Sequence, residues 1–304
     1  MNIVVVGGSN GAHLAEKIAS IGGYHYSKVI IDRFPDGELY VRIPIDVSGK
    51  IVVYVNSLQK SPNESLIETF LTIDALRDLG AVKLIAVIPY ISYARQDYRF
   101  KPGEAISIQT IAKLFRAINV DHMVTVDMHL HRISDPSALF GARFVNITGV
   151  RDLAKYYYTN YRESVRNTVV VGPDEEAEQW ARIAAEELGG VEYGVMYKTR
   201  ISANKVIVEA RGVNVKGKNV LLVDDIISTG GTIVEAVKAL REQGASEVFV
   251  GVVHAILVGN ALDKLLSLGL RDLYATDTIM SPISKVSVAQ TIQKHLEEII
   301  GKMI

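Results

Sequence analysis

Cysteine is absent from the 304-residue chain, which removes disulfides, thiolate metal sites and cysteine nucleophiles at once. Net charge is nearly absent too. Against 33 basic residues stand 34 acidic ones, a balance of -1 that offers no basic field to nucleic acid and no acidic tail. Long hydrophobic runs are also missing, and no apolar stretch approaches the roughly 20 residues of a membrane-spanning helix. The opening MNIVVVGGSNGAHLAEK has neither leading basic residues nor a small-residue cleavage site, so no signal peptide is expected. These absences predict a soluble, cytoplasmic protein with no nucleic-acid or membrane partner. Apolar residues are plentiful: 48% of the chain is hydrophobic, enough for two domains that each bury a core.

Short β-branched runs (NIVVV, KIVVYV, KLIAVIP, HMVTVD, TVVVG, NVLLVDD, EVFVGVV, LYATDT) alternate with amphipathic patterns such as ESLIETFLTIDALRDLG and TIVEAVKALREQG. Continuous apolar strands separated by helices predict parallel sheets covered on both faces, the α/β class. The chain also repeats itself. ALRDLGAVKLIAVIPY (75–90) aligns without a gap on ALREQGASEVFVGVVH (239–254), and IVVYVNS upstream corresponds to VLLVDDI. Duplication predicts an N-terminal domain over 1–146 and a C-terminal domain over 147–304, the latter including the terminal amphipathic stretch SKVSVAQTIQKHLEEIIGKMI. The copies differ in one decisive place: Asn56 and Ser57 stand where the second has Asp224 and Asp225.

LLVDDIISTGGT (221–232) is therefore the stretch to explain. The loop beyond the carboxyl end of a parallel strand is the usual ligand crevice. A helix starting near Gly231 or Thr232 offers free N–H groups and a positive dipole end to a phosphate. Gly230 and Gly231 allow close backbone approach, and Ser228, Thr229 and Thr232 supply hydroxyls. Asp224 and Asp225 would repel that phosphate and suit paired hydroxyls or a cation instead. A sugar phosphate presents both halves. A helix cap needs only one such group, whereas this stretch has five polar residues in nine positions. The pattern resembles the phosphoribosyl-diphosphate-binding motif of phosphoribosyltransferase-type folds, which serves enzymes that consume the diphosphate and enzymes that make it.

Five further stretches bear on that choice. RFPDGELYVRI (33–43) carries Phe34, Asp36 and Glu38 around a Pro-Asp-Gly turn, fit either to stack and hydrogen-bond a base or to close a surface hairpin. PYISYARQDYRFKPGE (89–104) leaves an apolar strand with Arg95, Gln96 and Asp97, a composition suited to polyphosphate, while Arg99 and Lys101 also suit a solvated loop. TVDMHLHRI (125–133) sets Asp127, His129 and His131 on alternate positions, which share one side if the strand persists. Asp174, after Pro173, is placed either to cap a helix or to face Mg²⁺. Lys198 and Arg200 in YKTRIS share a strand face, where two cations repel unless an anion such as a transferring phosphoryl group separates them. An edge strand guarded by lysine is the other reading. GGSNG (7–11) does not fit G-x-G-x-x-G and is taken as a structural lead-in to the first helix.

Together, from the first strand to about Thr278, these stretches closely resemble the ribose-phosphate pyrophosphokinase family. Plain phosphoribosyltransferases lack both the FPDGE turn and the YARQD loop. The resemblance implies two tandem phosphoribosyltransferase-like domains, each a mainly parallel sheet flanked by helices. It implies transfer of the β,γ-diphosphoryl group of Mg-ATP to the 1-hydroxyl of ribose 5-phosphate, giving 5-phosphoribosyl 1-diphosphate and AMP for nucleotide biosynthesis. By the same resemblance Phe34, Asp36 and Glu38 hold the adenine of ATP from a neighbouring subunit, so the protein is a homo-oligomer, at least a dimer. Arg95, Gln96 and Asp97 contact the nucleotide, and His129 and Asp174 are the Mg²⁺-associated residues. Lys198 and Arg200 are the catalytic cations of a flexible flap. Ribose 5-phosphate is bound by Asp224, Asp225, Ser228, Thr229, Gly230, Gly231 and Thr232, with Arg200. The common bacterial and animal form has Asp at the position of Ser228 and a denser run of Arg and Lys after Asp97. Two alternatives stand beside this reading, a phosphoribosyltransferase acting on a nucleobase and a non-catalytic regulatory homologue. The first leaves FPDGE and YARQD without a role; the second should have lost Lys198, Arg200 or His129.

Overall fold

The computed structural model describes residues 2–130, 133, 135–141, 143–202 and 205–303, with the backbone alone for 199–202 and 205–207. The chain divides into two compact units, Met1–Thr148 with Ser287–Ile304, and Gly149–Val286.

In the first unit the elements run β1 (Ile3–Gly7), α1 (Ala12–Gly22), β2 (His25–Lys28), β3 (Ile30–Arg33), β4 (Leu39–Arg42), β5 (Ile51–Val55), α2 (Pro62–Asp78), β6 (Lys83–Val87), α3 (Ser107–Ala117), β7 (His122–Val126), α4 (Pro136–Phe140) and β8 (Phe144–Ile147). Helices cover both faces of the sheet, so residues pointing either way from its central strands must be apolar; Val4 to Val6 and Ile51 to Val55 are all buried. The strand order is β2-β1-β5-β6-β7-β8, with every pairing parallel. The separate antiparallel hairpin β3–β4 carries the Pro-Asp-Gly turn. At the opposite end of the sheet, Asp121 accepts hydrogen bonds from Arg77, from Lys83 (3.2 Å) and from the Leu84 N–H (2.9 Å), tying α2 to two strand starts.

The second unit runs α5 (Val150–Asn160), β9 (Thr168–Gly172), α6 (Glu178–Glu187), β10 (Tyr193–Ser202), β11 (Lys205–Arg211), β12 (Asn219–Ile227), α7 (Gly231–Glu242), β13 (Val248–Ala255), α8 (Ala261–Leu266), β14 (Asp272–Thr276) and β15 (Ser284–Val286). Its order is β11-β10-β9-β12-β13-β14-β15, parallel except for the β10–β11 hairpin. Removing β11 leaves an order that matches the first sheet place for place. The repeat legible in the sequence is thus a repeat of topology, with the edge hairpin added to one copy.

One sequence expectation is corrected here. The last helix, α9 (Ala289–Gly301), which the repeat places in the second domain, belongs to the first unit, where it packs on α1. Ala289, Ile292, Leu296, Ile299 and Ile300 form an apolar stripe at helical spacing that needs cover, and all are buried. Gln293 donates to the Tyr24 hydroxyl at 3.0 Å, and Lys17 to the Ser287 hydroxyl at 3.3 Å.

Candidate active site

β12 is apolar until Val223 and then turns acidic at its carboxyl end, as the ligand edge of a parallel sheet allows. Asp225 is 2% exposed and Asp224 is half buried, and the Asp225 N–H donates to the Asp224 carboxylate at 3.0 Å. Asp174 follows β9, the strand next to β12. It caps a single 3₁₀ turn, accepting from the N–H groups of Glu176 (3.0 Å) and Ala177 (3.2 Å), so the capping reading of this residue holds. The cap does not neutralise it. Burial, and then the charges of Glu176 and Asp225, push the Asp174 carboxyl above its ordinary range. Burial and the charges of Asp225 and Asp174 push Asp224 well above that range. Like charges have been brought together here, a common mark of a functional site.

After Ile227 the chain turns through Ser228 and Thr229 into Gly230, whose φ of 77° needs glycine, and α7 begins at Gly231. A Cβ added at Gly231 would meet only the Thr229 hydroxyl, at 3.9 Å, so the protein's own packing does not demand glycine there. The open space in front of that position lies at the mouth of a helix, where first-turn N–H groups lack intrahelical partners. The Val258 N–H donates to the Ser228 carbonyl at 2.9 Å and fixes the turn from the β13 side.

In the β10–β11 hairpin at the sheet edge, Lys198 stands opposite Val208 and Arg200 opposite Val206. The Lys198 ammonium lies 2.7 Å from the Glu235 carboxylate on α7. The Arg200 side chain lies outside the described residues.

In the first unit, the corresponding loop is closed. Asn56, the counterpart of Asp224, accepts from the Asn10 N–H at 3.0 Å and donates to the Thr69 hydroxyl at 3.1 Å. Glu68 on α2, 4% exposed, accepts the Ser9 N–H at 2.7 Å. The Asn10 side chain donates to the Gln59 carbonyl and to the Ser65 hydroxyl. The GGSNG loop therefore spends these N–H groups on its own protein, as expected of a structural lead-in. Glu68 was not foreseen: in sequence it is one more acid on an amphipathic helix. Burial pushes its carboxyl above the usual range despite the Ser9 bond. Asn56→Asp should consequently destabilise the protein by about 1–3 kcal/mol at pH 8, where a buried carboxylate would face Glu68 unpaired. Carboxyls with raised folded-state pKa values hold protons that the unfolded chain releases, so the deficit should shrink as pH falls toward the ordinary carboxylate range. Urea unfolding at pH 8 and pH 5 checks both the size and the sign.

The hairpin β3–β4 presents Phe34 half exposed, edge-on to Tyr40 at 6.0 Å between centroids. The Asp36 carboxylate accepts the Glu38 N–H at 3.1 Å, and Arg33 pairs with Glu64 at 2.6 Å. Phe34 also borders an open cavity of about 700 Å³ between the hairpin and α2, lined by Tyr40, Leu71 and Asp74 among others. In the loop after β6, Tyr93 has φ 66° and its hydroxyl donates to Asn63. Arg95 is exposed, Gln96 accepts from the Ser107 hydroxyl at 2.7 Å, and Asp97 is buried. Arg99 is engaged by the Glu104 carbonyl at 2.8 Å, in line with a self-closed turn.

The alternate-position reading of TVDMHLHRI is corrected. β7 ends at Val126, and Asp127 takes φ 34°, so the extended conformation does not persist. Asp127 is buried and accepts from the Thr148 hydroxyl at 3.2 Å, whereas His129 is half buried. His131 lies outside the described residues. Among the described residues, no cluster of three or more His, Asp or Glu is assembled to hold a metal ion.

A duplicated, mainly parallel α/β unit, with acids and a Gly-Thr turn kept in one copy, defines the class: two tandem phosphoribosyltransferase-like domains. Comparison with known proteins agrees. Residues 3–118 match the N-terminal domain of ribose phosphate pyrophosphokinase, and residues 146–267 match the phosphoribosyl transferase domain. The chain is 39% identical over 301 residues to ribose-phosphate pyrophosphokinase of Methanopyrus kandleri, covering 98% of this chain and 100% of that one. It is 39% identical over 291 residues to the Pyrococcus furiosus enzyme of the same name, covering 95% and 99%. The crystal structure of phosphoribosylpyrophosphate synthetase from Mycobacterium smegmatis superposes with a TM-score of 0.87 at 29% identity, covering 99% of this chain and 100% of that one. The chain belongs to the ribose-phosphate pyrophosphokinase family and is an enzyme of 5-phosphoribosyl 1-diphosphate synthesis. No helix among the described residues is long and apolar enough to cross a membrane.

Proposed function

We propose that the second unit holds ribose 5-phosphate with its phosphate on the turn Ser228, Thr229, Gly230, Gly231, Thr232 and its ring hydroxyls on Asp224 and Asp225. The observation that carries this reading is the crowding of Asp224 against Asp225 and Asp174 one short turn before an open helix mouth. Hydroxyl donors relieve the carboxylates, and the first-turn N–H groups receive the anion. The 1-hydroxyl oxygen attacks the β-phosphorus of ATP in line, the bond from that phosphorus to the α,β-bridging oxygen breaks, AMP leaves, and the hydroxyl proton passes to solvent. Charge builds on the bridging and equatorial oxygens, where Lys198 and Arg200 offset it. No protein nucleophile is required.

Phe34, Asp36 and Glu38 take the adenine, and Arg95, Gln96 and Asp97 the rest of the nucleotide. The half-exposed Phe34 ring suits completion of that pocket on a neighbouring copy, in a cytoplasmic homo-oligomer of at least two chains. Mg²⁺ would suit the donors of the second unit, where Asp174 and Asp224 are hard oxygen ligands under mutual repulsion; His129, in the first unit, is Mg²⁺-associated by the family resemblance alone. With no ready-made cage of side chains among the described residues, the ion would be shared with substrate phosphates, as Mg²⁺ prefers. Bound there, it supplies charge neutralisation at the phosphoryl oxygens.

Purified protein with ATP, ribose 5-phosphate and Mg²⁺ should release AMP and 5-phosphoribosyl 1-diphosphate in equal amounts, followed by chromatography. Absence of AMP, or diphosphate release from 5-phosphoribosyl 1-diphosphate and a nucleobase instead, would overturn the reading.

A further inference from the structure

We propose that Glu235 is the resting latch of the β10–β11 hairpin, holding Lys198 against α7 until an anionic substrate displaces it. The inference rests on the reading of Lys198 as a cation of the transfer. Three features of the second unit carry it. Glu235 lies four residues beyond Gly231, so the residue that takes Lys198 sits about one helical turn, ~6 Å along the axis, from the proposed phosphate cradle. The lysine therefore waits beside the place where the anion arrives.

The hairpin is also fastened to α7 at a second point, by a different kind of bond. Gln243 accepts the Ala210 N–H at 3.0 Å and donates to the Val208 carbonyl at 3.3 Å. Neutral hydrogen bonds to the edge strand fix the base of the hairpin and offer a phosphate nothing to compete for. The contact nearer the helix mouth is an ion pair, the kind an incoming anion can exchange. Elsewhere on the hairpin, Arg211 is 3.1 Å from Glu209 and 3.5 Å from the Tyr197 ring centroid, so those two charges are matched within the hairpin.

The third feature is the weakness of the pair. Lys198 and Glu235 are 46% and 58% exposed, and exposed pairs contribute little to stability. A structural staple would be better buried, whereas a latch has to be easy to open.

The test compares wild type with Glu235→Gln, Glu235→Lys and Glu235→Asp, measuring AMP formation and amide hydrogen exchange at 198 and 208–211. An exposed pair biases an equilibrium by at most about fivefold. The Gln and Lys variants should therefore show kcat/KM for ATP raised about two- to fivefold and faster hairpin exchange. Glu235→Asp, which keeps the charge on a shorter arm, should fall between them and wild type, and unfolding midpoints should stay put. Unchanged exchange, or a rate that is unchanged or lowered in both the Gln and Lys variants, overturns the latch. Should wild type release no AMP at all, the proposed transfer fails by that result alone. Exchange then judges the latch: faster in Glu235→Gln sustains it, and equal exchange overturns it.

Discussion

Lys198→Ala is expected to lower kcat for AMP formation by about 10²–10³-fold, the usual cost of removing one well-placed donor from a developing oxyanion. Two effects oppose each other in this variant. It loses the cation that faces the transferring group, and it also loses the pair with Glu235. Release of an exposed pair is worth at most about fivefold, so loss of transition-state charge wins by more than an order of magnitude. The fold should be indifferent, because an exposed side chain away from caps, cores and networks changes stability by about 0.5 kcal/mol or less. Single-turnover AMP release and a urea titration on the same preparation separate these outcomes. A variant with near-normal kcat would remove Lys198 from the chemistry, and one with a shifted urea midpoint would show that the side chain supports the hairpin.

Lys198 also shows where sequence reading stops. Its type and its place on a strand were legible, although β10 runs on to Ser202 and does not end there; its partner was not, because Glu235 lies 37 residues away and meets it only through the sheet order β10-β9-β12 and the path of α7. The closing of the first unit's loop was invisible for the same reason, since Glu68 and Ser9 are 59 residues apart. Legibility followed burial. The runs read as strands became β1, β5, β6, β7, β9, β12, β13 and β14, which must be apolar on both faces and so announce themselves. The strands that escaped, β2, β8, β11 and β15, lie at sheet edges, where solvent relaxes the pattern and HYSK or SKV can serve.

Local conformation was legible where glycine marked it and not elsewhere. Gly230 marks the turn into the helix, and it takes φ 77° there. Asp127 takes the same sign of φ without being glycine, which ended the strand one residue before the histidine pattern could be read as extended. The terminal helix was recognisable as amphipathic, but an apolar stripe states only that cover is needed. That α1 supplies the cover is a fact of three dimensions.

The twin acids give the second large effect, and its two halves have opposite signs. In Asp224→Asn and Asp225→Asn, ribose 5-phosphate should bind about 10–100-fold more weakly, because a hydrogen bond to a charged acceptor contributes about 1.5–3 kcal/mol and each variant gives one up. Stability should move the other way for Asp224→Asn. Burial, Asp225 and Asp174 raise the folded-state pKa of Asp224, so the folded protein retains a proton that the unfolded chain has already released. Stability contributed at this position is then complete at low pH and falls as pH rises from the ordinary carboxylate range through the raised value. Asparagine carries no such penalty. The variant should therefore unfold at a higher urea concentration than wild type at pH 8, and the gap should close on acidification. Calorimetry with ribose 5-phosphate and Mg²⁺ reads the first half, and urea unfolding at pH 8 and pH 5 reads the second. A site kept for its ligand at the fold's expense predicts weaker binding together with greater stability. If affinity is unchanged in both variants, or if Asp224→Asn proves less stable at pH 8, the acids are serving the architecture of β12 and the sugar must be held elsewhere.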